Sequence, residues 1–275
     1  MKLNTLLLAV SIASSAFSAH AAGAASAKFA AAWNDNPVNF VSVAVIPDVI
    51  ADAQVVATND GYLITTIKVP QDKELLVGVS AEIGLTTDTS LKGKDGGAAK
   101  AIADGSAWVL LTATPVGGGD SVNAAPGAVM LSKRIQELNA TLGGVLDNCT
   151  DSTGGMDENG LMPGDEGYVD TPDGTIDAAL ECTTTDEQIG LMQDTLASHH
   201  FNFILPNMDA GNYEIRAHFM TRASAEVDID EVSVAEGGTI SGSSYAKAFV
   251  GKHMVTVQQV RAVKGSLADV DIVDN

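Results

Sequence analysis

The chain has 275 residues, with 15 Lys and Arg against 35 Asp and Glu, a formal net charge of −20. Such a surface repels nucleic acid and anionic membranes, so neither is an expected partner. With 45% hydrophobic residues the chain can bury a substantial core, whereas aromatics at 5% leave few side chains for stacking on ligands.

The first residues read as a secretory leader. Lys2 is the positive n-region, Leu6 to Ile12 a short apolar core, and Ala19-His20-Ala21 a small-x-small cleavage site. The apolar run is too short to span a bilayer, which takes roughly 20 apolar residues. Cleavage after Ala21 leaves 22–275 as a single expected domain with an insertion over 147–185, placed in the periplasm or outside the cell, without membrane insertion. The short Ala/Ser-rich leader has bacterial character.

Period-two alternation dominates the chain beyond the leader. Phe40–Ile46 is the first predicted strand, and "GYLITTIKVP" alternates with Leu63, Ile67 and Val69 facing in. In "LLVGVSAEIGLT", Leu75, Val77, Val79, Ala81, Ile83 and Leu85 share one face, while Leu76, Gly78, Ser80, Glu82, Gly84 and Thr86 share the other. A Gly-rich loop carrying Lys92, Lys94 and Lys100 comes next, then "AWVLLTATP" with Val109, Leu111 and Ala113 on one side. "GAVMLSKRIQELNATLGG" fits a helix through Leu131, Ile135, Leu138 and Leu142, and its first half fits a strand equally well. After the acidic insertion, "TTTDEQIGLMQDTLASHH" has Thr184 as N-cap, Glu187 closing a capping box, and Ile189, Met192 and Leu196 at helical spacing. Further strands are predicted at His200–Leu205, Tyr213–Thr221, Glu226–Val234 and Tyr245–Val263, with Gly, Pro, Asn and Asp between them. Many strands and Gly-rich turns predict a mainly β fold, an antiparallel β-sandwich of Ig-like or jelly-roll type with one or two short helices.

"MDAGNYEIRAHF" resembles the D-x-G-x-Y corner of immunoglobulin-like domains at Asp209, Gly211 and Tyr213, with Ile215 where antibody domains carry a cysteine. The resemblance covers about ten residues and implies an architecture rather than a family, one in which the Tyr hydroxyl bonds backbone at a corner. In an Ig-like arrangement the strands around Phe203 and Ile215 lie in opposite sheets; in a simple hairpin they pair.

Cys149 and Cys182, the only cysteines, enclose nine Asp or Glu and no Lys or Arg. In an exported chain they are expected to pair. Two unit charges about 6 Å apart repel by roughly 2–3 kcal/mol at an effective dielectric near 20. Such a loop is either solvated and held by its disulfide, or neutralised by a hard cation such as calcium. "DTPDGTIDAALE" resembles an EF-hand loop, although its Asp-x-x-Asp-Gly spacing is one residue short and Pro172 lies inside. With the "MDENG" turn it gives the candidate metal ligands Asp157, Asn159, Asp170, Asp173, Asp177 and Glu181. His200 and His218 would face each other if their segments form a hairpin, and two imidazoles with a carboxylate bind zinc or copper. No H-E-x-x-H spacing supports that use, and Arg216 on the same face opposes it.

Catalytic signatures are missing. "GVSAE" fails the G-x-S-x-G elbow, and the glycines of "VGGGD" open no helix. Trp33 and Trp108 are the only tryptophans, which argues against the sugar platforms of a glycosidase and weakens, without excluding, a carbohydrate-binding module. The leading expectation is therefore a non-catalytic structural, adhesive or assembly protein requiring no cofactor, with self-association or a protein partner reached through loops and sheet edges. Its alternatives are a calcium- or small-ligand-binding protein using the acidic loop, and a secreted hydrolase with a dispersed site.

Overall fold

The computed structural model describes residues 29–46, 51–70, 73–230 and 238–260; the leader lies outside them. In chain order the strands are β1 (Phe29–Asn34), β2 (Asn39–Val45), β3 (Ala51–Thr58), β4 (Tyr62–Val69), β5 (Lys73–Lys94), β6 (Gly97–Pro115), β7 (Val122–Asn123), β8 (Val129–Leu142) and β9 (Val145–Asp147). A four-residue helix, α1 (Ala178–Glu181), precedes β10 (Thr183–Thr185), β11 (Glu187–Met208), β12 (Gly211–Asp230) and β13 (Thr239–Val260). Sheet A is ordered β1-β13-β5-β11, with β2 following β1 along the same edge of β13. Sheet B is ordered β3-β12-β6-β8; β4 shares the edge of β12 with β3, and β7 shares the edge of β6 with β8. All these pairings are antiparallel. The chain changes sheet between β2 and β3, β4 and β5, β5 and β6, β8 and β11, β11 and β12, and β12 and β13.

The alternation predicted for β5 is realised over a longer stretch. Leu75, Val77, Val79, Ala81, Ile83 and Leu85 are buried, and Thr87, Thr89 and Leu91 continue the same face. Its 22 residues extend about 70 Å at the usual strand rise, paired with β13 on one side and β11 on the other. Val109, Leu111 and Ala113 of β6 are buried as expected, and so are Ile67 and Val69 of β4. The predicted strands Tyr213–Thr221 and Glu226–Val234 fuse into the single strand β12 as far as Asp230. In β13 the inward set is even-numbered from Ser244 to Val250 and odd-numbered from His253 to Val257. The register slips between Val250 and His253, where Gly251 and Lys252 form a bulge opposite Glu82.

The core has two grades of thickness. Toward one end it holds Leu, Ile, Val and Phe side chains such as Leu75, Leu111, Phe203, Ile215 and Phe219. Toward the other it is lined by Ala99, Ala101 and Ala103 of β6, Ala223 and Ala225 of β12, and Ala246 and Ala248 of β13. There the sheets approach closely: a Cβ on Gly105 would lie 3.1 Å from the Lys247 carbonyl oxygen. The Ser244 hydroxyl of β13 donates across the gap to the Ile102 carbonyl of β6. The buried Gln136 of β8 accepts from the Thr87 hydroxyl at 2.9 Å and donates to the Thr89 hydroxyl at 2.8 Å and to the Leu191 carbonyl. One amide thus ties β8 of sheet B to β5 and β11 of sheet A.

Two expectations are corrected. The segment Thr184–His200 is not a helix. Thr184 pairs with Leu146 in the small β9–β10 sheet, and Glu187 begins β11 opposite Gly93. In a strand, Met192 and Leu196 point outward together instead of forming a helix stripe, and both are exposed. The 20 registered pairs with β5 override the local helical signal. The ambiguous segment from Val129 is strand throughout, so the one helix among the described residues is α1, inside the insertion. The lysine-bearing loop is also shorter than expected. It shrinks to the two-residue turn Asp95-Gly96, both at positive φ, and the lysines sit on β5 and β6.

If the Gln136 amide is the polar tie between sheets, Gln136→Ala should cost about 2–4 kcal/mol in urea unfolding, because it leaves two buried hydroxyls and a carbonyl short of partners. An exposed control such as Gln188→Ala should stay within about 0.5 kcal/mol.

Candidate functional site

The acidic insertion projects from the end of the two sheets on a stalk. β9 and β10 pair antiparallel, Thr183 opposite Asp147, and immediately beyond them Cys149 and Cys182 are joined with an S–S distance of 2.05 Å. The Thr183 and Thr185 hydroxyls donate to the Asp147 and Val145 carbonyls across the same pair. The expected disulfide is present and clamps both ends of the excursion. A loop of this size gives about 3–4 kcal/mol on the chain-entropy account.

Inside the clamp the carboxylates act as acceptors for the backbone. Glu181, buried at the end of α1, accepts from the Thr153 N–H at 2.6 Å, from the Ser152 N–H, and from the Asp177 N–H at 2.9 Å. Donation from Ser152 foremost, then Asp177, holds its carboxyl down at about 2. Asp157 accepts from the Asn159 and Leu161 N–H groups at 2.8 and 2.9 Å, which lowers its carboxyl below the usual range, Leu161 contributing most. Asp173 is lowered likewise, first by the Thr175 hydroxyl and then by the Thr175 N–H. Asp151 accepts from the Asp173 and Gly174 N–H groups, and Asp177 caps α1 through the Ala179 N–H. The Tyr168 hydroxyl donates to the Gly155 carbonyl, and Gly154 bridges Pro172. A glycine-rich segment without basic residues is thereby folded by its own acids.

A cavity of about 550 Å³ opens within the excursion, with Asp170, Asp173, Asp177 and Glu181 on its wall and Thr153 and Leu180 beside them. Four of the six candidate ligands line it; Asp157 and Asn159 belong to a separate turn. Among the described residues no three His, Cys, Asp or Glu side chains converge as a metal ion requires. The residue types point to calcium, but the geometry spends most of them on amide N–H groups.

The two histidines that a hairpin would bring together are separated. His200 on β11 of sheet A bonds Ser80 and Asn202. His218 on β12 of sheet B bonds Thr112 and packs where a Cβ of Gly61 would stand. Phe203 and Ile215 likewise occupy opposite sheets instead of pairing as a simple hairpin, since the chain crosses from A to B between Met208 and Gly211. Tyr213 is buried, with its ring close to Gly211. The lysines of β5 and β6 are partnered: Lys92 pairs with Asp186 at 3.0 Å, Lys100 with Glu137 at 3.7 Å, and Lys94 donates to the Thr184 carbonyl.

Sequence reasoning misses the open edge of sheet A. β11 ends the sheet, and beyond Ile204, which bonds Ala125 both ways at 2.8 and 3.0 Å, its outer backbone has no strand beside it among the described residues. The stretch Glu187–Phe203 contains no Lys, Arg or Pro, the residues that usually protect an edge. Ile189, Leu191, Met192 and Leu196 are exposed along it. The signal is present in the composition, but the apolar spacing over the same residues matches a helix. No family model, curated protein or solved structure matches the chain, and no helix among the described residues is long and apolar enough to cross a membrane.

The Glu181 carboxyl lies far below its ordinary 4.5, so its contribution is complete above about 4.5 and is lost as pH falls through about 2. Amide exchange at Ser152, Thr153 and Asp177 is expected to accelerate over that window relative to β5 amides. In Glu181→Ala the same three amides should already exchange fast at pH 7.

Proposed function

We propose that the chain is an exported, non-catalytic structural or assembly protein, built as a jelly-roll β-sandwich, that joins another protein chain through the outer edge of β11. The two four-strand-wide orders, and the repeated change of sheet from one long strand to the next, support the jelly-roll reading over the Ig-like one. The leader-like first residues and the disulfide support export. The observation that carries the assembly reading is the long edge itself: free of Lys, Arg and Pro from Glu187 to Phe203, carrying the exposed Ile189, Leu191, Met192 and Leu196 among polar residues, and presenting backbone groups that pair with an added strand.

The edge offers a selective test. Ile204 directs its N–H away from β5, and residues alternate along an antiparallel ladder, so Met192, twelve residues earlier in unbroken register, does the same. Met192→Pro therefore removes an edge donor without breaking a bond to β5. In sedimentation at moderate salt, which screens the acidic charge, the native chain should associate with increasing concentration. Met192→Pro should remain monomeric with an unchanged fold by circular dichroism. A native chain that stays monomeric at every concentration, and purifies from its source without a partner, overturns the assembly reading.

A second reading, a cation held in the acidic excursion, is favoured only by the four carboxylates around the 550 Å³ cavity. It requires millimolar calcium to raise the melting temperature and a chelator to lower it, with both shifts lost in Asp170→Asn/Asp173→Asn.

A further inference from the structure

A second feature of sheet A lies on its outward face, apart from the excursion, and reaches β11 at Ser198. The edge strand beside β13 is interrupted: β1 ends with Asn34 opposite His253, and β2 begins with Asn39 opposite Val250. The β13 bulge at Gly251–Lys252 falls in the same interval. Together the two breaks leave a notch of about 280 Å³, at the small end of ligand pockets. Asn34 turns the chain there, its side chain accepting from the Asn36 N–H.

Trp33, the last outward residue of β1, stands on the rim and is 66% exposed. Its indole offers a flat apolar face on which a ligand can stack. Hydrogen-bonding groups surround it. Glu82 faces the bulge and accepts weakly from the Lys252 N–H, and Asp35 and Ser198 complete the polar rim. Register continues the feature across the sheet: Trp33 lies opposite Met254, Met254 opposite Ser80, and Ser80 opposite His200. Three strand spacings, about 14 Å, therefore separate the indole from a Ser80–His200–Asn202 chain of hydrogen bonds.

From this juxtaposition we propose that the Trp33 notch binds a neutral saccharide, one sugar ring stacking on the indole and its hydroxyls bonding Glu82, Asp35 and Ser198, with the chain running across the strands toward His200. The chemistry selects the class. A pyranose has an apolar C–H face for the aromatic plane and a rim of hydroxyls that donate and accept. Two carboxylates against one ammonium, on a chain of net charge −20, disfavour an anionic ligand. The scarcity of aromatics argues against an extended platform, but a notch this small needs only one.

The test is affinity electrophoresis and calorimetry of the full mature chain with hexasaccharides of β-1,4-glucose, β-1,4-N-acetylglucosamine and α-1,4-glucose, with alginate as the anionic contrast. At least one neutral glycan should bind. Trp33→Ala should weaken it by about tenfold or more, Glu82→Gln by several-fold, and Trp108→Phe not at all. Trp33→Ala should melt with the native chain, since its side chain is exposed. The proposal is overturned if none of the neutral glycans binds, if alginate alone binds, or if binding survives Trp33→Ala. It is equally overturned if Trp33→Ala changes the sedimentation coefficient without changing glycan binding, which would make the indole a protein contact.

Discussion

The close approach of the two sheets in the alanine-lined half constrains everything else. Ala99, Ala101, Ala103, Ala246 and Ala248 bring the backbones near enough for a serine side chain to cross the gap and reach a carbonyl. A thin interior of this kind gains little transfer energy per residue, because alanine buries little area. It relies instead on backbone ladders, dispersion between close surfaces, and polar groups each given a partner. The Gln136 amide works under that rule: it is buried, and both its carbonyl and its NH₂ are bonded. The thicker half, with Phe203, Phe219 and the Leu and Val residues around them, supplies the bulk of the apolar burial.

The parts of the fold legible in the sequence are those governed by strict alternation. The first part of β5 reads correctly because six successive odd positions, Leu75 to Leu85, are inward with no slip between them. β13 resists such reading, because two residues of the bulge move its inward set from even to odd numbers. β11 misleads for a different reason. As an edge strand, its first eight residues are exposed, so no period-two contrast marks them, and Ile189, Met192 and Leu196 happen to fall at helical spacing. What makes that segment a strand is the length of β5 beside it, a non-local cause that a window of residues cannot contain. Strands run longer than their alternation suggests because glycine and alanine at Gly97–Ala107 look like loop composition, although they are the residues that a narrow gap demands.

At the excursion, residue types and positions are legible, and their employment is not. The cysteines pair and the acids cluster between them, as the spacing implies. A carboxylate has the same appearance in a sequence whether it binds a cation or accepts from amide N–H groups. Here Glu181, Asp157, Asp173 and Asp151 take the second role and pin turns that glycine makes possible, such as that at Gly174 with φ of 90°. The self-repulsion of nine acids is offset locally by oriented backbone dipoles rather than by side-chain cations.

The clamp at the stalk also alters what breakage means. Every peptide bond from Thr150 to Glu181 lies within one covalent ring closed by Cys149 and Cys182. A single nick there would yield two polypeptides still tethered by sulfur, with β8 and β11 held in place by the sheets on either side. The acidic excursion can therefore be severed once without release of a fragment, and only reduction would expose the injury on a gel.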